Sequence, residues 1–275
     1  MVTMVDTLQL SDGALLPALG AGLYKVDPAD TERVTLAAID AGYTLLDGAW
    51  FYANEAELGA AVRHSGRRDE LLIASKYWGD PVQSYDDVFR EFAESEAALD
   101  IGPVDIYMLH WPRTVRGTFV DAWRALIRLQ EEGRVVSIGV ANFGEDELTR
   151  LIEETGVAPV INQVESHPWL PQRALRAFHA QHGIVTQAWS PLGRGRLLEE
   201  PLLVDLAARL GVSVAQLVLR WHLQMGGAAV PKSTHAERLR ENLAVDGFTL
   251  DEDAMAAIAS LESGLRTGTD PKDRH

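Results

Sequence analysis

Four polar residues stand at or just beyond the ends of short apolar runs. Asp47 follows Leu45 and Leu46, Tyr52 lies in the loop beyond it, Lys76 follows Leu72 to Ser75, and His110 follows Ile106 to Leu109. Singly, each type has an ordinary structural use: an Asp behind a strand caps a helix, a Lys sits solvated on a rim, and a lone His packs. Together they make chemical sense. A buried ammonium stabilises a phenolate, lowering a tyrosine's pKa from its reference of about 10, and a carboxylate keeps that ammonium charged. The set therefore predicts a tyrosine tuned as a general acid. An alkoxide forming in a transition state needs donors already aimed at it in a dry pocket.

To act together, these residues must be carried to one place. β-rich apolar runs occur near Leu19–Gly22, Thr44–Leu46, Leu71–Ser75, Val104–Leu109, Val135–Val140, Val160–Gln163, Ile184–Ala188 and Ala228–Val230. Helical patterns lie between them, such as Val88, Phe92 and Leu99 before the fourth run, and Leu148, Leu151 and Ile152 before the sixth. Ser213 with Gln216 has capping-box spacing, Asp30 is placed to cap the helix carrying Val34 and Ala38, and Gly42, Gly133, Gly156 and Gly183 fall where helices should stop. Eight βα units joined by right-handed crossovers predict an α/β fold, a (β/α)8 TIM barrel, with an open doubly wound sheet as the alternative. Catalytic groups of such a barrel come from the C-terminal ends of its strands, where the four residues fall. No Gly-x-Gly-x-x-Gly opens a helix after the first run, so a dinucleotide-binding open sheet lacks its main support. Thr7 to Pro17, turning at Ser11-Asp12-Gly13, predicts an N-terminal hairpin, and Asp251 to Ser260 one extra helix. The polar stretch Gly264 to His275 has no apolar period and is expected to be a flexible lid or disordered. No linker divides the chain, and residues 1–275 are expected to form one domain.

Composition narrows the function. Twenty-five Lys and Arg against 40 Asp and Glu leave a formal charge of −15, which repels phosphate backbones and anionic lipid, so neither a nucleic-acid nor a membrane partner is expected. The absence of cysteine excludes thiol nucleophiles, disulfides and Cys-ligated metals. His179 and His182 are close in sequence, but they fall in a helix after the sixth run, expected at the surface and away from the mouth, and no catalytic metal is expected. Residues 1–10 show no basic region followed by an apolar run, so no secretory signal is read and the cytoplasm is the expected location.

The motifs themselves resemble the aldo-keto reductases over essentially the whole chain. Gly42 to Glu55 with Gly59 is similar to the family's Asp and Tyr signature, Lys76 in Ser-Lys-Tyr-Trp to its Lys site, and Leu109-His110-Trp111-Pro112 to its His site. The segments Ile161 to Glu165 with His167 and Pro168, Ser190 to Gly193, and Val230 to Ser233 with Arg238, Glu241 and Asn242 resemble its cofactor-binding segments. The resemblance implies NADPH-dependent reduction of aldehydes, ketones or small dicarbonyls, with Tyr52 protonating the carbonyl oxygen, Asp47 and Lys76 tuning it, and His110 orienting the carbonyl. It also implies that Asn142 and Gln163 hold the nicotinamide carboxamide and that Trp189 stacks on the ring. Ser190, Leu192 and Gly193 would lie in the segment over the pyrophosphate, Lys232, Ser233 and Arg238 would grip the 2′-phosphate, and Glu241 and Asn242 would face the adenine.

Tyr24, Trp50, Phe51, Trp78 and Trp111, with Trp169, are positioned to wall the substrate; ordinary rim packing is an equal reading for Trp50 and Trp169. The bacterial branch that includes 2,5-diketo-D-gluconate reductases is the most similar, and a monomer is implied. Three positions depart from the commonest pattern. Gly48 is expected to loosen the loop of Tyr52, Ala141 removes a hydroxyl near the carboxamide, and Trp189 replaces a Tyr while keeping a stacking face. Two other classes fit less well. A cofactor-binding regulatory protein with vestigial reductase activity would not need all four catalytic residues, and a phosphate-binding barrel lyase or isomerase would rest on Gly193 to Arg196 alone.

Overall fold

A strand buried on both faces is apolar for most of its length, and most of the runs above satisfy that condition, with Asn162, Gln163, Thr186 and Gln187 among the buried polar exceptions. In the computed structural model, which describes residues 7–274, the runs become the staves of a barrel; residues 1–6, part of the stretch searched for a signal, and His275 lie outside the described residues. A hairpin of β1 (Thr7–Gln9) and β2 (Leu15–Pro17) comes first, followed by β3 (Ala21–Gly22), α1 (Pro28–Ala41), β4 (Leu45–Asp47), α2 (Glu55–Ser65), β5 (Leu72–Tyr77) and α3 (Tyr85–Leu99). The order continues with β6 (Val104–Leu109), α4 (Phe119–Glu131), β7 (Val135–Ala141), α5 (Glu145–Thr155), β8 (Ile161–Glu165), α6 (Arg173–Gln181) and β9 (Val185–Trp189). The last elements are α7 (Pro201–Leu210), α8 (Val214–Gln224), β10 (Ala228–Val230), α9 (Ala236–Leu243) and α10 (Glu252–Ala259).

Strands β3 to β10 pair in sequence order and in parallel. The ends of the sheet then meet. Gly20 N donates to Ala229 O at 2.9 Å, Ala229 N to Ala18 O at 2.8 Å, and Gly22 N to Pro231 O at 3.0 Å. This closure makes a (β/α)8 barrel and excludes the open doubly wound sheet. Gly22 permits the approach, since a Cβ there would lie 2.9 Å from Val230 O.

Two apolar layers hold the barrel. Inside, Leu45, Ala74, Ile106, Met108, Ile161 and Val230 pack together, and Leu10 and Leu16 of the hairpin plug the N-terminal end. Asp12 at the hairpin turn accepts from Ala14 N at 3.0 Å and from Ser137 Oγ at 2.7 Å, pinning the plug to β7. Outside, Val34, Val62, Phe92, Trp123 and Leu148 fill the space between helices and strands, each contributing about 1.5–3 kcal/mol by leaving water. Neither layer occupies the opposite end, which is left for the site.

Helix starts follow their chemistry. Ser213 and Gln216 form the anticipated capping box at α8. At α1 the cap is Asp27 rather than Asp30: Asp27 accepts from Ala29 N, and Pro28 takes the first helical position, where its missing N–H costs nothing. Asp30, one turn in, pairs instead with Arg33 at 2.7 Å. His179 is also not at the surface. It is buried, with its two ring nitrogens 3.0 Å from Asn162 Nδ2 and 2.8 Å from Thr186 Oγ1.

The stretch after α10 lies across the barrel mouth, and polar contacts replace the missing apolar period. Ser263 N and Gly264 N donate to Trp169 O, Thr267 and Gly268 bond to Glu165, and Pro271–Asp273 form a short 3-10 turn capped by Asp270.

Candidate active site

The C-terminal strand ends deliver the four residues to one mouth. Asp47 is the last residue of β4, Lys76 the fifth of β5, and His110 follows β6 directly. Tyr52 closes a 3-10 turn, Trp50–Tyr52, after β4, which ends with Ala53 in the left-handed region at φ 54°. Lys76 is fully buried; its ammonium donates to Asp47 Oδ1 at 2.8 Å and to Gly48 O at 2.7 Å and lies 5.3 Å from the centre of the Tyr52 ring. The rings of Tyr52 and His110 meet edge-on at 6.0 Å, with Tyr24 packed 5.2 Å from Tyr52 on the other side.

The electrostatics differ from the sequence expectation at one point. The Tyr52 phenol is pushed well above 10, first by burial and then by the charge of Asp47 and by Tyr24. Lys76 does not lower it at rest because the described hydrogen bonds of its ammonium run to Asp47 and Gly48. Burial lowers Lys76 itself, against the opposing pull of Asp47 and Glu55. Burial also holds His110 well below 6.5, helped by Lys76, Arg274 and Arg113, so its imidazole is neutral. Its Nδ1 is buried without a partner among the described residues, which leaves Nε2 as the nitrogen available to a ligand.

Gly48 does not loosen the loop. Its N–H donates to Ala74 O at 2.9 Å and its carbonyl accepts from Lys76, so both backbone groups are fixed. Below the mouth, Glu91 of α3 accepts from the backbone N–H groups of Trp78 and Gly79, anchoring the loop that presents the Trp78 ring.

A cavity of about 1130 Å³ opens here, large for a site that need hold only a small molecule. It is lined by Tyr24, Asp47, Phe51, Tyr52, Trp78, His110 and Trp111 at one end. Asn142, Gln163, Trp189, Ser190 and Leu192 line its middle, and Lys232, Ser233, Arg238, Glu241 and Asn242 its far end. Phe51 and Trp78 stack at 3.8 Å.

Four expected residues do not line it: Lys76 is fully buried, and three others turn away or lie behind. Trp50 turns its indole N–H to Glu94 of α3 at 3.0 Å, Trp169 donates to Glu200 at 3.2 Å, and Gly193 is buried behind the loop, where a Cβ would press on Leu197 at 3.1 Å.

The middle of the cavity is pre-wired. Asn142, left-handed at φ 66°, donates to His110 O at 2.9 Å and accepts from Trp189 Nε1 at 2.8 Å. Gln163 donates to Asp47 Oδ1 and to Gln187 Oε1, both at 2.7 Å. Trp189 thus brings a donor as well as a stacking face. Lys25, Ser190 and Arg194 are left-handed too, at φ 58°, 47° and 56°, and all line the cavity. Such conformations cost about 1–3 kcal/mol each in non-glycine residues and persist where surrounding structure imposes them.

Several polar lining residues were not assigned to the site from sequence, among them Lys25, Thr234, His235, Thr269 and Arg274. Lys25 lies beside Tyr24, and Thr234 and His235 follow Ser233 directly, so these could have been flagged. Thr269 and Arg274 come from the polar tail, where no local signal points to the barrel.

With this geometry in place, the chain can be set beside known proteins. The sequence profile of the aldo/keto reductase family matches residues 17–263, and the chain belongs to that family. It is 45% identical over 282 residues to 2,5-diketo-D-gluconic acid reductase B of Corynebacterium sp., covering 98% of each chain. It is 41% identical to methylglyoxal reductase DkgA of Salmonella typhimurium, covering 96% of each. A solved structure of a Gox0644 variant in complex with NADPH superposes with a TM-score of 0.93 at 40% identity, covering 97% of each chain.

Proposed function

We propose that this protein reduces aldehydes, ketones or small dicarbonyls to alcohols with NADPH, Tyr52 supplying the proton. The observation that carries the reading is the buried Lys76–Asp47 pair beside a protonated Tyr52, with neutral His110 edge-on across it. The fit to the cofactor rests on the donor set of the cavity. Neither Lys232 nor Arg238 belongs to an ion pair among the described residues; with Ser233 they offer two cations and a hydroxyl to one phosphate dianion. Asn142 and Gln163 present amides to the carboxamide, Trp189 a ring to the nicotinamide, and Ser190, Leu192 and the turn containing Gly193 a roof. Glu241 and Asn242 face the adenine end.

NADPH supplies the hydride. Tyr52, held protonated, gives its proton to the carbonyl oxygen, and His110 donates to the same oxygen through Nε2 and fixes its direction. The phenolate that remains on Tyr52 lies beside the Lys76 ammonium, which compensates it at the moment of need, and Asp47 keeps that ammonium charged and in place. Tyr24, Phe51, Trp78 and Trp111 exclude water. In this reading the protein acts on a small-molecule carbonyl as a cytoplasmic monomer formed of one domain, without nucleic acid or membrane. The charge of −15 argues against nucleic-acid and anionic-lipid partners, and no single helix among the described residues is long and apolar enough to cross a membrane.

The test follows NADPH absorbance over small aldehydes, α-dicarbonyls, aromatic aldehydes and oxo acids, with Tyr52→Phe as control and NADH in parallel. Turnover that requires the carbonyl and Tyr52, with NADPH preferred, is the expected result. Tight NADPH binding with no turnover of any class would instead mark a regulatory protein, and unchanged kcat in Tyr52→Phe would remove the tyrosine from its role.

A further inference from the structure

Lys25, Arg194 and Arg274 are cavity-lining cations with no part in the proton-donating set or in the proposed grip on the cofactor, and of the three Arg274 is the one set against Trp78 and Trp111. Arg274 reaches in from the C-terminal segment and lines the cavity with Trp78, His110 and Trp111. Its guanidinium carbon stands 4.6 Å from the centre of the Trp78 ring and 5.6 Å from that of Trp111. A guanidinium over aromatic rings is held there by cation–π attraction and keeps its planar N–H donors for hydrogen bonds. Its Nε is buried and has no acceptor among the described residues. The nearby carboxylate of Asp80 is already committed, bonded to Arg116 at 2.8 Å and paired with Arg113 at 3.7 Å.

The position of Arg274 is set by the fold. Glu165, the last residue of β8, accepts from Thr267 N and Thr267 Oγ1 at 2.6 Å and from Gly268 N at 3.1 Å. Burial would raise that carboxyl, but the bonds from His167 and Thr267 outweigh it and hold it at about 2, so the latch stays charged. Gly268 then lies flat on Trp189, where any Cβ would collide with the indole. From this anchored point the segment runs through the Pro271–Asp273 turn and places the guanidinium over the aromatic wall.

We propose that Arg274 is the carboxylate-recognition residue of the substrate pocket, so that the carbonyl compounds this protein reduces best carry a carboxylate. The proposal rests on the carbonyl-reductase reading of the same cavity. Trp78 lies between the two ends of such a substrate, its ring 5.1 Å from that of His110 and 4.6 Å below the guanidinium carbon. A compact oxo acid can therefore present its carbonyl to Tyr52 and His110 and its carboxylate to Arg274 at once. The planar fork suits a carboxylate's two oxygens. A dianion is better served at the other end, by Lys232 and Arg238.

The test compares two substrates that differ in charge but share ring and aldehyde, 4-carboxybenzaldehyde and methyl 4-formylbenzoate, with the full chain and NADPH. The expected result is a kcat/KM ratio of acid to ester that falls roughly tenfold or more in Arg274→Gln, through the KM of the acid, with part of it kept in Arg274→Lys. Added salt should lower the same ratio in the unaltered protein. Because the ratio is internal to each variant, a loss of folded protein cancels from it. An unchanged ratio in Arg274→Gln, or a preference for the ester in the unaltered protein, overturns the assignment. If the unaltered protein turns over neither compound nor any other carbonyl, the reductase reading itself fails and takes this one with it.

Discussion

Lys76 has no solvent exposure, and its ammonium is held by Asp47 and by the carbonyl of Gly48. Asp47→Asn keeps the shape of the site and removes the countercharge. Removing one partner of a buried pair costs about 3–5 kcal/mol, and for a chain of this size that corresponds to a fall of about 6–20 °C in Tm at about 2–4 °C per kcal/mol. The protein has one escape, which is for Lys76 to lose its proton. Burial already lowers Lys76 from 10.5, with Asp47 the larger of the opposing forces, so the variant lowers it further. Between that lowered value and 10.5 the folded chain binds fewer protons than the unfolded one, so the variant gains stability as pH rises through the window. Its deficit against the unaltered protein is therefore largest near neutral pH and shrinks toward alkaline pH. Adding Lys76→Met removes the orphaned charge and should bring stability back to within about 1 kcal/mol of the unaltered protein. Turnover should be lost in the single and double variants alike. Urea denaturation followed by tryptophan fluorescence at two pH values supplies the double-mutant cycle, and NADPH consumption supplies the activities. A single variant as stable as the unaltered protein near neutral pH, or a deficit that does not shrink at alkaline pH, would refute the reasoning.

The pH dependence of the reaction should separate its two directions. Tyr52 stays protonated and His110 neutral, so the rate of carbonyl reduction should be level through neutral pH with no inflection at 6.5, whereas oxidation of the alcohol needs the phenolate and should climb about tenfold per pH unit. Initial rates in both directions check this, and an inflection at 6.5 in reduction would show that His110 titrates. Gly59→Ala should destabilise the protein by about 1–3 kcal/mol despite a better helix propensity, because a Cβ on α2 would collide with the carbonyl of Leu99 at the end of α3. A denaturation midpoint that rises in that variant would contradict the packing argument.

The parts of this molecule that could be read from sequence are those where one physical cause acts locally. Continuous apolar runs marked all eight staves, because strands covered on both faces are apolar for most of their length. The strand-end rule then located Asp47, Lys76 and His110 before any geometry was available. The misses share a different origin. Asp30 and Asp27 both suit a helix start, and only the fixed φ of Pro28 decides between them. Trp50 and Phe51 are adjacent, and the tight turn that carries them sends one indole to Glu94 and the other ring to Trp78. Whether Lys76 lowers Tyr52 at rest depends on where one ammonium spends its hydrogen bonds, which spacing cannot show. Arg274 was invisible because its place is set by Glu165, more than a hundred residues earlier.

That long reach also sets a clock on the protein's birth. The barrel is sealed by contacts between Leu19 and Ala229, so its first stave waits for its last while more than two hundred residues are made. Contacts so distant in sequence make for slow folding. Even the sealed barrel would still lack the segment that crosses its mouth. From Asn242 to Arg274 a ribosome needs about 2–6 s at about 5–20 residues per second. During that interval a nascent chain has its proton donor and most of its cofactor cavity, while the cation that meets the substrate's far end has yet to be made.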